Sequence, residues 1–127
     1  MNGAGNELQA VVIALLGNVQ GLGVFCLSPV QASYPYATVD AGLESDWSHK
    51  SGEGREVRLA ITVRDEGERP GRVQRLIGEV EAAIAEVSSA TPSWSIVSMR
   101  FARRHLVREQ RRGWAAVIEY RARMLRL

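Results

Sequence analysis

The chain has 127 residues, enough for one domain (residues 1–127) that buries roughly two-thirds of its unfolded surface. Its hydrophobic fraction of 46% and charged fraction of 24% exclude a disordered chain, and its single Cys26 excludes an internal disulfide and any multi-cysteine metal site. The net charge of +2 hides a split: residues 1–99 carry 7 Lys+Arg against 12 Asp+Glu, whereas residues 100–127 carry 9 Arg against 2 Glu. No apolar run reaches the ~18 residues of a membrane span.

In chain order, the opening segment lacks the basic region of a signal peptide and carries Glu7 instead, which reads as a cytosolic start. Leu8, Val11, Val12, Leu15 and Leu16 recur at helical spacing, and "QGLG" stops the helix. "VFCLSPV" reads as a short strand ended by Pro29, with Cys26 as a small buried hydrophobe. "QASYPY" is a loop, because Pro35 pushes Tyr34 out of helical geometry. "YATVDAGLE" is a second short strand. A polar, glycine-punctuated loop follows from Glu44 to Gly54, with Trp47 inside it.

Val57, Leu59, Ile61 and Val63 then point one way, while Glu56, Arg58, Thr62 and Arg64 point the other: a strand with one buried and one wet face. "RDEGERPG" turns, and Pro70 stands where a helix begins. Val73, Leu76, Ile77, Val80, Ile84 and Val87 form one apolar stripe. "SIVSMRFARRHLV" alternates imperfectly, "REQRRG" turns, and "WAAVIEYRARML" puts Trp114, Ala116, Ile118, Tyr120, Ala122 and Met124 on one face. The predicted fold is α+β: a mostly antiparallel sheet of four to five strands with two helices packed on one face.

No set of residues meets the requirements of catalysis. Asp46, Ser48 and His49 sit too close in sequence to converge as a triad, and the G-x-S-x-G elbow is absent. His49 and His105 lack metal-ligand neighbours, and His105, after two arginines on a strand, reads as solvated. "GLG" follows a helix rather than a strand and lacks the third glycine of a dinucleotide loop. Asp65, Glu66 and Glu68 precede a helix, where acids favour its dipole without any catalytic role. No catalytic, cofactor-binding or metal site is expected. Two features point to partners instead. Trp47 either folds back on the core or anchors in a neighbour. The arginine-rich hairpin reads as an electrostatic wall that docks an acidic subunit or tolerates DNA nearby. Trp114 and Tyr120 fall on the apolar face, which does not support base stacking.

The order "YPYATVD", "DWS", "GREVRLAITV", a helix, "VSMRFARRHLVRE" and "WAAVIEYRARM" resembles a family of small phage tail-completion proteins of tailed phages, prophages and gene transfer agents. The resemblance runs over nearly the whole chain and departs at "VRDEG", where an aromatic is common. It implies a tail terminator: a structural, non-enzymatic α+β protein forming a homo-oligomeric ring, commonly a hexamer, on the head-proximal end of the tail tube. The ring stops tube polymerisation and joins the tail to a head-tail connector or stopper. DNA passes through it without sequence-specific binding, and no cofactor or membrane is involved. Such a protein is made in the bacterial cytoplasm and ends in the virion tail. On this reading Asp46, Trp47, Lys50, Arg55, Arg100, Arg103, Arg104, Arg108, Arg121 and Arg123 are expected at ring or tube contacts. A head-to-tail ring needs two unlike patches, which the acidic first part and the basic hairpin would supply. The alternatives are a head-tail stopper or adaptor ring, and a small DNA-binding module.

Overall fold

The computed structural model describes residues 3–26, 29, 31–110 and 113–127. The order is α1 (Ala4–Leu16), β1 (Gly23–Phe25), β2 (Tyr36–Asp46), β3 (Gly54–Glu66), α2 (Gly71–Ala85), β4 (Trp94–Glu109) and β5 (Gly113–Arg126). The strands form one five-stranded sheet in the order β1-β2-β3-β5-β4. Only β1–β2 is parallel; the other pairs are antiparallel. The fold is therefore α+β with a mostly antiparallel sheet, as the periodicities predict.

Register explains the core. Ala37 and Val39 of β2 pair with Val63 and Ile61 of β3, and these in turn pair with Ala116 and Ile118 of β5. All of them share one sheet face, because side chains two apart on a strand point the same way. The buried residues Leu8, Val12 and Leu16 of α1 and Val73, Leu76, Val80 and Ile84 of α2 belong to the same apolar cluster. Both helices thus lie over that face, and among the described residues the other face carries no helix.

Several elements differ from the sequence reading. Helix α1 starts four residues earlier than its first leucine, since Ala4 and Glu7 are also buried. β1 is only three residues long, and Leu27, Ser28 and Val30 of the expected strand lie outside the described residues, as do Arg111 and Arg112 of the hairpin turn. Cys26 is exposed rather than buried, because it follows the last paired residue of an edge strand. β2 runs on to Asp46, which shortens the loop to residues 47–53. β4 alternates imperfectly because its pairing shifts twice, between Ile96 and Ser98 and between Phe101 and Arg103. These irregularities also blunt a 16-residue edge strand against adding a further strand.

Two buried carboxylates fasten the ends of the layers. Glu7, 5% exposed, accepts hydrogen bonds from the Thr91 hydroxyl and the Ser93 N–H, both at 2.8 Å, and so ties α1 to the turn before β4. Asp65, 2% exposed, accepts from Arg72 Nε at 2.7 Å and from the Glu66 N–H at 2.8 Å. It reads in sequence as turn chemistry, but it anchors the first turn of α2. Burial pushes both carboxyls up. The hydrogen bonds outweigh it, from Ser93 and Thr91 for Glu7 and from Arg72 and Glu66 for Asp65, so both lie below their usual values of 4.5 and 3.8. The unfolded chain therefore binds more protons than the folded one as acid is added. The stability that these groups contribute is complete above those usual values and is lost as pH falls through the folded ones. Glu7→Gln/Asp65→Asn is expected to be less stable at neutral pH and to show a flatter decline of thermal midpoint on acidification. An equally steep acid limb in the double variant would contradict this assignment.

Candidate functional site

The uncovered sheet face is built from the wet sides of three long strands. Cross-strand register sets its rows. Glu56 of β3, Arg123 of β5 and Ser98 of β4 make one row. Arg58, Arg121 and Arg100 make the next, and Ala60, Glu119 and Arg103 the one after. Glu56 is the acceptor for two arginines, Arg123 Nε at 3.1 Å and Arg121 Nε at 3.7 Å. Arg103 Nε pairs with Glu119. Among the described residues, Arg58 and Arg100 have no ion-pair partner, and both are exposed.

The loop between β2 and β3 closes this face at one end. Trp47 N–H donates to the Gly54 carbonyl at 2.9 Å, and His49 and Gly52 form a bridge at its tip. Trp47 is half-buried. Register continues β2 so that it lies on the uncovered face, where the Arg123 guanidinium stands 5.4 Å from its ring centroid and His49 meets it edge-on at 4.5 Å. It therefore joins neither the helix-covered core nor open solvent. Ser48 donates to Asp46 Oδ1 at 2.6 Å and accepts from the Gly54 N–H at 3.0 Å. Those bonds set the loop shape, and Ser48 is committed to Asp46 and Gly54. Lys50 is exposed at the tip.

The structure divides the ten expected contact residues between two faces. Trp47, Arg100, Arg103, Arg121 and Arg123 share the uncovered face. Arg55 pairs with Met124 in the register, on the helix side, and bridges to Glu44 and Glu53. Arg104 also faces the helices and pairs with Glu81 of α2 at 2.5 Å. Arg108 covers the Trp114 ring at 4.3 Å. Asp46 pairs with Arg55 across the strands, and Lys50 stands at the loop tip. A strand sends alternate residues to opposite faces, so the hairpin does not form a single basic wall.

Nor does the acid/base split along the chain become two regions in space. β5 lies between β3 and β4, so acids of the first part meet arginines of the last. Glu56 takes Arg121 and Arg123, Glu53 takes Arg126 at 2.6 Å, and Glu81 takes Arg104. Arg58 was legible only as an ordinary wet-face residue. The missing signal was the strand order, which puts it beside Arg121 and Arg100.

On the helix side, β4 extends past the cover of α2. Phe101 stays 51% exposed with its ring edge-on to Tyr120 at 5.9 Å; Val97, at the register shift between Ile96 and Ser98, is 52% exposed. Burial, together with the nearby Glu81 carboxylate, pushes the Tyr120 hydroxyl up to about 12, so it stays protonated at neutral pH. An open hollow of about 400 Å³ near β1 is lined by Gln9, Cys26, Thr38, Asp40, Thr62 and Arg64 among the described residues. Among the described residues no group of three His, Cys, Asp or Glu side chains stands ready to hold a metal ion, and no helix is long and apolar enough to cross a membrane.

Residues 8–125 match the family described as Tail completion protein gp17. No curated protein sequence matches the chain significantly. Among solved structures, the chain is similar to a component described as "Virion of native gene transfer agent (GTA) particle". The two share 20% identity and superpose with a TM-score of 0.77 over 98% of this chain and 99% of the other, which is likeness of fold.

Proposed function

Because the chain belongs to the Tail completion protein gp17 family, we propose that this structural, non-enzymatic tail protein is a tail terminator. Copies of it form a ring, six-membered as is common for such proteins, on the head-proximal end of the tail tube. The ring stops tube growth and presents its far side to the head connector. The particle is a phage or a gene transfer agent, in keeping with the virion whose component shares this fold.

Beyond family membership, the observation that supports the ring is the edge strand β4. It presents two unlike surfaces along one edge, with Arg100, Arg103 and His105 toward the open sheet face and Phe101, Arg104 and Leu106 toward the helix side. A closed ring is built from head-to-tail contacts between unlike patches. Exposed Phe101 and Val97 supply apolar area to such a contact, and the flanking arginines supply its charged rim. The loop carrying Trp47 and Lys50 projects from the sheet end and serves the tube or the adjoining ring; Asp46, the last residue of β2, and Arg55 of β3 stand beside it.

Tail length decides the matter. Particles from a producer lacking this gene are expected to carry overlong tubes of mixed length under negative stain. Tails of normal length left unjoined to heads would assign the protein to the stopper ring. Normal particles would leave only a DNA-binding role outside the tail.

A further inference from the structure

We propose that the uncovered sheet face binds the phosphate backbone of duplex DNA through the cross-strand row Arg58–Arg121–Arg100. The proposal deepens the ring reading by giving one face of the subunit to the DNA. It rests on that reading only for where the DNA is met.

The row costs the isolated subunit stability. Like charges directly opposite one another across strands repel, and here three stand side by side on three adjacent strands. Of the acids in the adjoining rows of these strands, Glu56 is already shared by Arg121 and Arg123, and Glu119 pairs with Arg103. Arg58 and Arg100 therefore keep their charge uncompensated among the described residues, whereas Arg103, Arg104 and Arg126 each have a carboxylate partner.

The geometry fits an extended polyanion. Neighbouring strands lie about 4.8 Å apart, so the row spans about 10 Å. Duplex DNA advances about 3.4 Å along its axis per phosphate of each strand while the backbone winds round that axis, so a flat row of this span faces one or two phosphates of a strand. Guanidinium groups fork onto phosphate oxygens in pairs, which favours arginine over lysine for this task.

The surroundings favour a nucleic-acid backbone over an acidic protein surface. The adjoining rows hold Glu56, Arg123, Ser98, Ala60, Glu119 and Arg103. A stable protein interface would want an apolar anchor among them. The apolar residue in line with the row is Leu43, at its far end on β2. Among the described residues, no helix rises from this face to enter a groove. Trp47, the aromatic side chain at the loop end of this face, is already in contact with Arg123 and His49. The contact is thus with the backbone and blind to sequence, which suits DNA that slides.

The test uses the full-length protein and a fluorescein-labelled mixed-sequence duplex, titrated by anisotropy at several salt concentrations. Arg58→Ser/Arg100→Ser is compared with wild type and with Arg58→Lys/Arg100→Lys. Neutralisation is expected to weaken binding equally for unrelated sequences. It should lower the log–log salt slope by about one for each arginine lost in every subunit that touches the duplex. The lysine variant should keep the slope. The serine variant should fold at least as stably as wild type, because it relieves repulsion, and should still form the ring and set tail length. Binding and slope unchanged in the serine variant would overturn the proposal, as would wild-type protein that does not bind the duplex at low salt. Loss of the ring in a folded serine variant would overturn it too and assign the row to a subunit contact. The ring reading is judged separately, by tail length without the gene, so the two fail independently.

Discussion

Ile118→Ala is expected to destabilise the protein by about 2–5 kcal/mol, against a total of about 5–15 kcal/mol for an ordinary domain. Ile118 is fully buried at the centre of β5 and lies directly opposite Ile61 of β3, which is also fully buried. The loss has two parts: the transfer energy of the deleted carbons, and the space left behind under α2, which a paired sheet cannot collapse to fill. Ile61→Ala is expected to act similarly. The two together should not simply add, because their vacated volumes join and share the same neighbours. Urea melts should show a lower midpoint with little change in slope for each single variant. A double variant that unfolds under growth conditions should yield the same particles as loss of the gene. Midpoints within error of wild type would contradict the placement of this pair at the core centre.

Gly54→Val should be nearly as damaging for a different reason. A Cβ at Gly54 would collide with the backbone of Trp47, approaching its carbonyl carbon to 2.9 Å, and would press on Leu125 Cδ2 at 3.0 Å. A backbone atom cannot rotate out of the way, so the hairpin must open or shift. Forced overpacking costs about 1–3 kcal/mol, occasionally more. The paired bonds at this point, Trp47 N–H to the Gly54 carbonyl at 2.9 Å and Gly54 N–H to Ser48 Oγ at 3.0 Å, would be strained together. Trp47 fluorescence should report the change as a shift toward the emission of an exposed indole. Gly52→Ala is the control, since a Cβ there meets nothing within 4 Å. If the loop serves an assembly contact, Gly54→Val should fail to restore normal tails in a gene-deleted producer while Gly52→Ala restores them. Full restoration by Gly54→Val would remove the loop from that role.

The sequence made the regular elements legible where local pattern and final burial agree. The two-residue alternation of Val57 to Val63 became the centre of the sheet, the Trp114 to Met124 alternation became its partner, and the stripe of Val73 to Ile84 became the buried side of α2. β4 was blurred because two register shifts move its side chains out of phase, and nothing local announces where pairing will slip. Glu7 was read only as an acid where a signal peptide would be basic, and Asp65 as an ordinary turn acid. Glu7 is buried by partners more than eighty residues away, which no window along the chain contains. Asp65 is buried by α2 turning back over the end of β3, so that Arg72 reaches it. The placement of the charged residues was the least legible. Charge counted along the chain predicted an acidic part and a basic part, but the sheet order interleaves them: among the described residues Arg103, Arg104, Arg121, Arg123 and Arg126 pair with carboxylates within the subunit. What is left over, at Arg58 and Arg100, follows from which strands are neighbours.

The position of β5 also bears on how the chain is made. It follows every other element in sequence, yet it sits inside the sheet, paired with β3 along thirteen positions and with β4 on its other side. A nascent chain that has emerged only through α2 holds both helices and three strands, but one side of β3 is bare and its central valines and isoleucine face an unfinished core. Closure waits for residues 113–126 to leave the ribosome, and it joins segments far apart in sequence, which is slow compared with helix formation. A copy cut short before that strand lacks the surface on which β4 and its arginines are laid out. Such a fragment is expected to go to proteases and chaperones rather than to a growing particle.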